Sequence, residues 1–116
     1  MRLAEVRELL GCEVICRGPV GEEQEVAAAF AADLMSDVLA YAAKDSLLVT
    51  GLTNAQVVHT ADVADLGAVV FVCDKKPAPQ VLVMATELGL PLLSTRETMF
   101  GACGLLWAAG LRSGHR

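Results

Sequence analysis

Hydrophobic positions along this chain follow two spacings. Near its start, Leu3, Val6 and Leu10 recur at intervals of three and four residues, which is the spacing of one helix face. Farther on, apolar residues run without interruption at positions 68–72 and 91–93, as in strands that are covered on both faces. The pattern therefore predicts helices packed on both sides of a mainly parallel sheet.

A Leu-Gly pair recurs where helical patterns give way to strand patterns. The pair occurs at positions 10–11, 66–67 and 88–89, and a β-rich run follows it each time. Glycine just after a helix end supplies the left-handed residue that closes many helices. Three such returns in a short chain predict an alternating α/β topology.

The predicted elements alternate along the chain. Helices are predicted at residues 2–10, 34–43, 54–66, 79–88 and 95–111. Strands are predicted at residues 12–16, 26–32, 46–50, 68–73 and 91–93. The fold class expected from them is α/β, a three-layer α/β/α sandwich with a mainly parallel sheet of about five strands. We expect one domain over residues 1–112 and a flexible tail at residues 113–116.

Composition narrows the function classes. The net charge is −5 and no stripe of Lys and Arg appears, which argues against a nucleic-acid partner. The longest apolar run, residues 99–111, contains three glycines and is shorter than the roughly 20 residues that a membrane span needs. Residues 1–10 are typical of a charged amphipathic helix rather than a secretory signal. We therefore expect a cytoplasmic protein without a membrane partner.

The four cysteines, Cys12, Cys16, Cys73 and Cys103, form no C-x-x-C motif. Zinc and cluster ligands usually lie closer together in turns. We interpret the cysteines as reduced, buried thiols that pack as small apolar groups. A redox or cluster role is the alternative, and no metal or other cofactor is predicted.

Motifs of self-contained catalytic centres are missing from the sequence. No P-loop, dinucleotide-binding glycine motif or nucleophile elbow occurs. His59 has no carboxylate or nucleophile nearby in the sequence that would make it a catalytic base. We therefore predict that the protein is not an enzyme.

Polar residues cluster where predicted strands end. They are Asp33, Ser36, Asp37, Thr50, Gly51, Thr53, Asn54, Asp74, Lys75, Ser94 and Thr95, with Lys76 beside them. Carboxyl ends of parallel strands share one sheet edge, so these residues are predicted to line a crevice that binds a small anion. The alternative is that Asp33 or Ser36, Thr53 and Ser94 are helix N-caps. Capping boxes at Thr53-x-x-Gln56 and Ser94-x-x-Glu97 fit that alternative.

The last predicted helix is more apolar than one sheet face requires. Met99, Phe100, Leu106 and Trp107 lie among small residues there. It is either a buried core helix or an interface in which Trp107 is an anchor. The interface interpretation predicts a homodimer.

Several segments resemble the DRTGG domain, in particular its small stand-alone members related to the N-terminal domain of HPr kinase/phosphorylase. The segments are DLMSDVLA at 33–40, DSLLVTGLTN at 45–54, LGAVVF at 66–71 and GLPLLST at 89–95. The resemblance implies an α/β/α fold and a regulatory domain without catalytic activity. It also implies dimers that bind adenine nucleotides. The alternative hypothesis is a homodimerising interaction module without a ligand, accessory to a partner enzyme of a metabolic or redox system.

Two family motifs are altered in this chain. Where the family has Gly-Asp-Arg after the third strand, this chain has Gly51-Leu52-Thr53. Where it has Thr-Gly-Gly after the fourth strand, this chain has Val72-Cys73-Asp74. Threonine cannot replace the bidentate phosphate contact of an arginine. The anion chemistry of the family motif is therefore expected to be altered here, and the P-loop of a kinase is missing.

Overall fold

Helices and strands alternate in the computed structural model, which describes residues 1–116. The helices are α1 (Leu3–Leu10), α2 (Met35–Tyr41), α3 (Ala55–Val63), α4 (Pro79–Leu88) and α5 (Met99–Ala108). The strands are β1 (Glu13–Cys16), β2 (Ala28–Ala31), β3 (Ser46–Thr50), β4 (Ala68–Phe71) and β5 (Leu92–Ser94). A 3-10 turn at Gly21–Glu23 lies between β1 and β2. All ten predicted elements are present. Elements β3 and α4 have their predicted bounds, β5 is shifted by one residue, and the other seven are shorter than predicted.

The five strands form one sheet in the order β1-β5-β4-β3-β2. Strands β2 to β5 run parallel, and β1 pairs antiparallel with β5 through an irregularity between Val14 and Cys16. The carboxyl ends of β2 to β5 therefore share one edge, whereas the chain leaves β1 at the opposite edge. The predicted mainly parallel five-strand sheet is confirmed.

Each face of the sheet has its own apolar core. Helices α2, α3 and α4 cover the face with Leu48 and Phe71, and helices α1 and α5 cover the face with Leu47 and Val70. All four of these strand side chains have no exposed surface. Burying one such side chain contributes about 1.5–3 kcal/mol, so the continuous apolar runs in β3 and β4 fix a three-layer arrangement.

The capping residues differ from the predicted ones. The side chain of Asn54 accepts a hydrogen bond from the Val57 N–H group and caps α3. Thr98 caps α5 by accepting a hydrogen bond from the Gly101 N–H group. The predicted caps at Thr53 and Ser94 are therefore wrong. The predicted cap lies one residue before the actual cap of α3 and four residues before that of α5, because a bend separates each strand from the helix that follows it.

The helix-to-strand returns only partly follow the Leu-Gly pattern. Gly11 and Gly89 take left-handed conformations with φ of 62° and 68° after α1 and α4. After α3 the left-handed residue is Asp65, with φ of 56°. Gly67 is needed for a different reason: a Cβ there would lie 3.2 Å from the Asp45 carbonyl oxygen.

The last residues are bound to the outer edge of β2. The Ala29 N–H donates to Arg112 O at 2.9 Å, and the Gly114 N–H donates to Ala29 O at 2.7 Å. The His115 ring stacks on Tyr41 with ring centroids 5.0 Å apart. The sequence predicts a flexible tail at 113–116, but the structure instead shows a hydrogen-bonded strap that covers an edge strand. Backbone pairing of this kind leaves little trace in a polar sequence.

All four cysteines are free thiols. Cys16 is buried, Cys12 and Cys103 are partly buried, and Cys73 is exposed. The prediction that all four thiols are buried is therefore wrong for Cys73, which lies in the loop beyond β4. None of the helices is long and apolar enough to cross a membrane.

Candidate functional site

One carboxylate joins two strand ends at the carboxyl edge of the sheet. Asp33 follows β2, and its Oδ1 atom accepts hydrogen bonds from the Thr50 hydroxyl at 2.9 Å and the Gly51 N–H at 2.8 Å. The Thr50 hydroxyl also accepts a hydrogen bond from the Leu52 N–H at 3.2 Å. Thr50 is fully buried, so its hydroxyl requires partners within the protein. Asp33 is therefore a cross-strand contact and not a helix cap.

The ammonium group of Lys75 lies near Gly51, at the carboxyl end of β3. Its Nζ atom is 3.4 Å from the position that a Cβ of Gly51 would occupy, and Asp33 Oδ1 is 3.7 Å from that position. The Lys75 ammonium group takes part in no ion pair and donates no hydrogen bond within the protein. Gly51 thus presents bare backbone between an unpaired cation and a carboxylate.

Ser94 and Thr95 have structural partners. The Ser94 hydroxyl donates to the Lys75 carbonyl oxygen at 2.8 Å, and the buried Thr95 hydroxyl donates to the Leu10 carbonyl oxygen at 2.6 Å. Ser94 therefore positions the Lys75 loop, and Thr95 ties the end of α1 to the sheet edge. Neither hydroxyl projects into open space.

The remaining predicted residues lie at the starts of two helices. Ser36 and Asp37 are exposed in the first turn of α2, whose N-cap is Leu34 with no side-chain bond. The proposed cap role of Ser36 is therefore wrong. Asn54 caps α3, while Thr53 is partly buried just before it. The orphan N–H groups at the start of α3 face the same edge of the sheet as Gly51.

Asp74 has a cationic partner. The Lys76 ammonium group donates to Asp74 Oδ1 at 3.0 Å. This hydrogen bond and the charge of Lys76 lower the pKa of Asp74, and the Arg96 guanidinium contributes in the same direction. Lys76 is thus neutralised by its neighbour, whereas Arg96 acts on Asp74 only from a distance.

The distribution of unpaired cations is uneven. Six of the nine Lys and Arg side chains have an ion-pair or hydrogen-bond partner. The three without one are Arg17, Lys75 and Arg96. Lys75 and Arg96 follow β4 and β5 at the carboxyl edge, and Arg17 follows the antiparallel β1 at the opposite edge. The carboxyl edge therefore holds two of the three cations without any hydrogen-bond or ion-pair partner. Arg112 and Arg116 bond only to backbone carbonyl oxygens.

The loop after β4 is held in an unusual backbone conformation. Cys73 and Asp74 both have φ of 59°, a region that costs residues with a Cβ about 1–2 kcal/mol. Their N–H groups donate to Glu97 O and Thr95 O, each at 2.8 Å. The loop keeps its left-handed path because these two hydrogen bonds hold it against the segment after β5.

Concave surface is concentrated elsewhere. The five principal cavities are lined by other residues, and none of them includes Asp33, Gly51 or Lys75. The surface formed by Asp33, Gly51 and Lys75 therefore lies outside the principal cavities and consists of charged groups and bare backbone. No group of His, Cys, Asp and Glu side chains is arranged to hold a metal ion.

The chain belongs to the DRTGG domain family, whose model matches residues 5–107. The predicted family membership is confirmed. No curated protein matches the sequence at a significant level. Cys73 and Asp74, which have left-handed backbone conformations, occupy the positions of the two glycines in the family motif Thr-Gly-Gly.

A solved structure has the same fold. It is the crystal structure of the CBS and DRTGG domains of the regulatory region of Clostridium perfringens pyrophosphatase, complexed with its activator diadenosine tetraphosphate. The TM-score is 0.74 at 12% sequence identity, over 90% of this chain. The chain spans 45% of the length of that structure. In that protein, a DRTGG domain is part of a regulatory region.

Sequence reasoning missed Arg96 as a member of this edge. The prediction named Ser94 and Thr95 because they are polar residues that follow the fifth strand, and it did not include the next residue. Arg96 is exposed and has no partner. The available signal was its position directly after Thr95, at the end of a strand next to the Lys75 loop.

Proposed function

We propose that this protein is a non-catalytic regulatory domain that senses a small, nucleotide-like anion at the carboxyl edge of its sheet. The observation that carries the proposal is the pair of unpaired cations, Lys75 and Arg96, at that edge. The net charge of the protein is −5, so two available cations at one edge are a local departure from the overall charge. An anion with two or more phosphates would interact with both.

The backbone at this edge suits close approach of a phosphate. Gly51 has no side chain, and a Cβ there would come within 3.4 Å of Lys75 Nζ. The start of α3 adds N–H groups and the positive end of the helix dipole, which favour an anion. Asp33 accepts two hydrogen bonds within the protein, and this fixes the position of Gly51.

The relative with the same fold supports the ligand class. Its regulatory region binds diadenosine tetraphosphate, which is a polyanion with two adenosine groups. In the present chain the arginine of the family motif is replaced by Thr53, so the charge is supplied from the loops after β4 and β5 instead. Adenine nucleotides are therefore the first ligands to test, and other small anions follow.

Calorimetric titration tests this proposal. Diadenosine tetraphosphate, ATP and AMP are titrated into the native protein and into Lys75→Gln and Arg96→Gln variants. Each variant should weaken binding about tenfold or more, because a charge-assisted hydrogen bond contributes about 1.5–3 kcal/mol. Arg17→Gln is the matched control, since it removes the third unpaired cation at the opposite edge and should leave affinity unchanged. No heat of binding with any of the ligands would contradict the proposal.

A second candidate function is a homodimerising interaction module, accessory to a metabolic or redox enzyme. One observation favours it. Phe100 is 91% exposed and Trp107 is 60% exposed on α5, and Gly104 between them has open space above it. Exposed aromatic side chains beside a small residue are typical of interface anchors. Light scattering of the native protein and of Phe100→Ser separates this candidate from a monomeric sensor.

A further inference from the structure

An apolar cleft lies on the opposite side of the molecule from α3 and α4, between α5 and the open face of β2. Its volume is about 200 Å³. Its lining consists of Ala29, Ala31, Cys103, Leu106, Trp107, Leu111, Arg112 and Ser113. Gly51, Lys75 and Arg96 do not line it, so the cleft is separate from the anion-binding surface proposed above.

The cleft lies beside α5, where the side chains of β2 are small. Helices α1 and α5 cover the central strands, and the side chains that β2 presents to this layer are those of Ala29 and Ala31. Both methyl groups are too small to fill the space beside α5. Leu106 and Leu111 are buried and form the apolar floor.

Arg112 is fixed at the rim. Its Nη1 atom donates to Trp107 O at 3.0 Å and to Leu111 O at 3.2 Å. The guanidinium carbon lies 4.0 Å from the centre of the Trp107 ring. No carboxylate pairs with Arg112, and its Nε and Nη2 donors have no acceptor in the protein. These two donors form one side of the guanidinium fork, which matches the two oxygens of a carboxylate.

We propose that this cleft binds an amphipathic carboxylate, a small molecule with an apolar chain and one terminal carboxylate. The hydrocarbon chain of the ligand would lie against Ala31 and Leu106. Its carboxylate would accept hydrogen bonds from Nε and Nη2 of Arg112. Arg112 needs no rearrangement, because backbone hydrogen bonds and the Trp107 ring already hold it in place. The apolar walls favour a ligand with a hydrocarbon chain, and the guanidinium group favours a carboxylate over an alcohol or an amine.

Trp107 is the only tryptophan of the chain, so its fluorescence reports directly on the cleft. Hexanoate, octanoate and decanoate are titrated into the native protein, with 1-octanol and octylamine as neutral and cationic probes. The carboxylates should shift the emission saturably, and each added methylene should tighten binding about fourfold until the cleft is full. Octanol should bind at least about tenfold more weakly, because it lacks the charge-assisted contact.

Two variants separate the roles of the charge and the shape. Arg112→Gln should weaken octanoate binding at least about tenfold and make octanoate and octanol equivalent. Ala31→Leu keeps Arg112 and fills the cleft, so it should abolish binding of the whole series. Arg17→Gln is the control for the loss of one positive charge, and circular dichroism verifies that each variant is folded.

Three results would overturn the proposal. One is an emission that does not change saturably with any carboxylate. Another is equal binding of octanol and octanoate to the native protein, because Arg112 would then contribute nothing. The third is a dimer in light scattering whose Trp107 is shielded from quenchers, because a second copy of the chain would then occupy the cleft.

Discussion

The Asp33 carboxylate accepts a hydrogen bond from the buried Thr50 hydroxyl at 2.9 Å, and this contact fastens the end of β2 to the end of β3. The same oxygen accepts from the Gly51 N–H at 2.8 Å. A buried hydroxyl without an acceptor is costly, and only Asp33 supplies one. The residue that the sequence offered as either a ligand contact or a helix cap thus determines the shape of the strand-end surface.

Replacing Asp33 should destabilise the protein through Thr50. Asp33→Ala leaves the Thr50 hydroxyl buried without its acceptor, so we expect the free energy of unfolding to fall by about 1–3 kcal/mol. Urea denaturation measures it. Asp62→Ala, which removes an exposed carboxylate without a partner on α3, should change it by less than about 0.5 kcal/mol. If Asp33→Ala costs the same in a Thr50→Val background, the two residues are not coupled and the assignment is wrong.

The left-handed loop after β4 should tolerate a glycine at position 73, where the family motif has one. Cys73 has φ of 59°, so Cys73→Gly removes a conformational cost of about 1–2 kcal/mol from the folded state. The glycine also gives the unfolded chain more conformational freedom, which opposes this gain by about 0.5–1 kcal/mol. The net effect should be a modest rise in melting temperature. Ala40→Gly, at an exposed position inside α2, should lower it instead. A melting temperature that falls equally in both variants would mean that the loop does not hold its left-handed path.

The strap along β2 should depend on Gly114. A Cβ at this buried glycine would collide with the Ser46 hydroxyl and would also approach the Ala28 Cβ atom at 3.3 Å. Gly114→Ala should therefore detach the strap and speed hydrogen exchange of the Ala29 and Ala43 amides, which lose their partners at the strap. Gly104→Ala is the control, because no atom lies within 4 Å of its new Cβ. It should leave both exchange rates unchanged.

Cys12 should make stability sensitive to alkaline pH. Burial raises its pKa from 9.0 to about 11, while the charge of Arg7 opposes the rise. The folded state therefore keeps this proton after the unfolded state has lost it, so stability is full below pH 9.0 and falls between pH 9.0 and about 11. Chemical denaturation at several pH values measures the slope. Cys12→Ala should remove the fall in stability that is due to the Cys12 thiol. An identical slope in the variant would contradict the attribution of that fall to Cys12.

The sequence predicted most of the fold because its signals are local. Continuous apolar runs identify β3 and β4 as strands covered on both faces, and the Leu-Gly pairs correctly place the turns at Gly11 and Gly89. The errors fall where tertiary contacts decide. Ser94 remains in β5 because it pairs with Glu13 on one side and Phe71 on the other, so the capping-box pattern that begins with it was misleading.

The site was predicted less completely. Asp33, Gly51 and Lys75 do meet at one sheet edge, as the parallel topology implies. However, Ser94 and Thr95 use their hydroxyls within the protein, and the cation Arg96 was missed. Which polar groups remain unpaired depends on distances across loops, and a single sequence does not encode those distances in a readable pattern.

The central claim is that an anion binds between Gly51, Lys75 and Arg96. Amide chemical shifts in a two-dimensional ¹H–¹⁵N spectrum, recorded while diadenosine tetraphosphate is added, test it most directly. We expect saturable shifts at Gly51 and in the loops that carry Lys75 and Arg96, and none at Arg17. Their loss in a Lys75→Gln, Arg96→Gln double variant would complete the expected result. A spectrum that does not change, or saturable shifts that lie only elsewhere on the molecule, would contradict the claim.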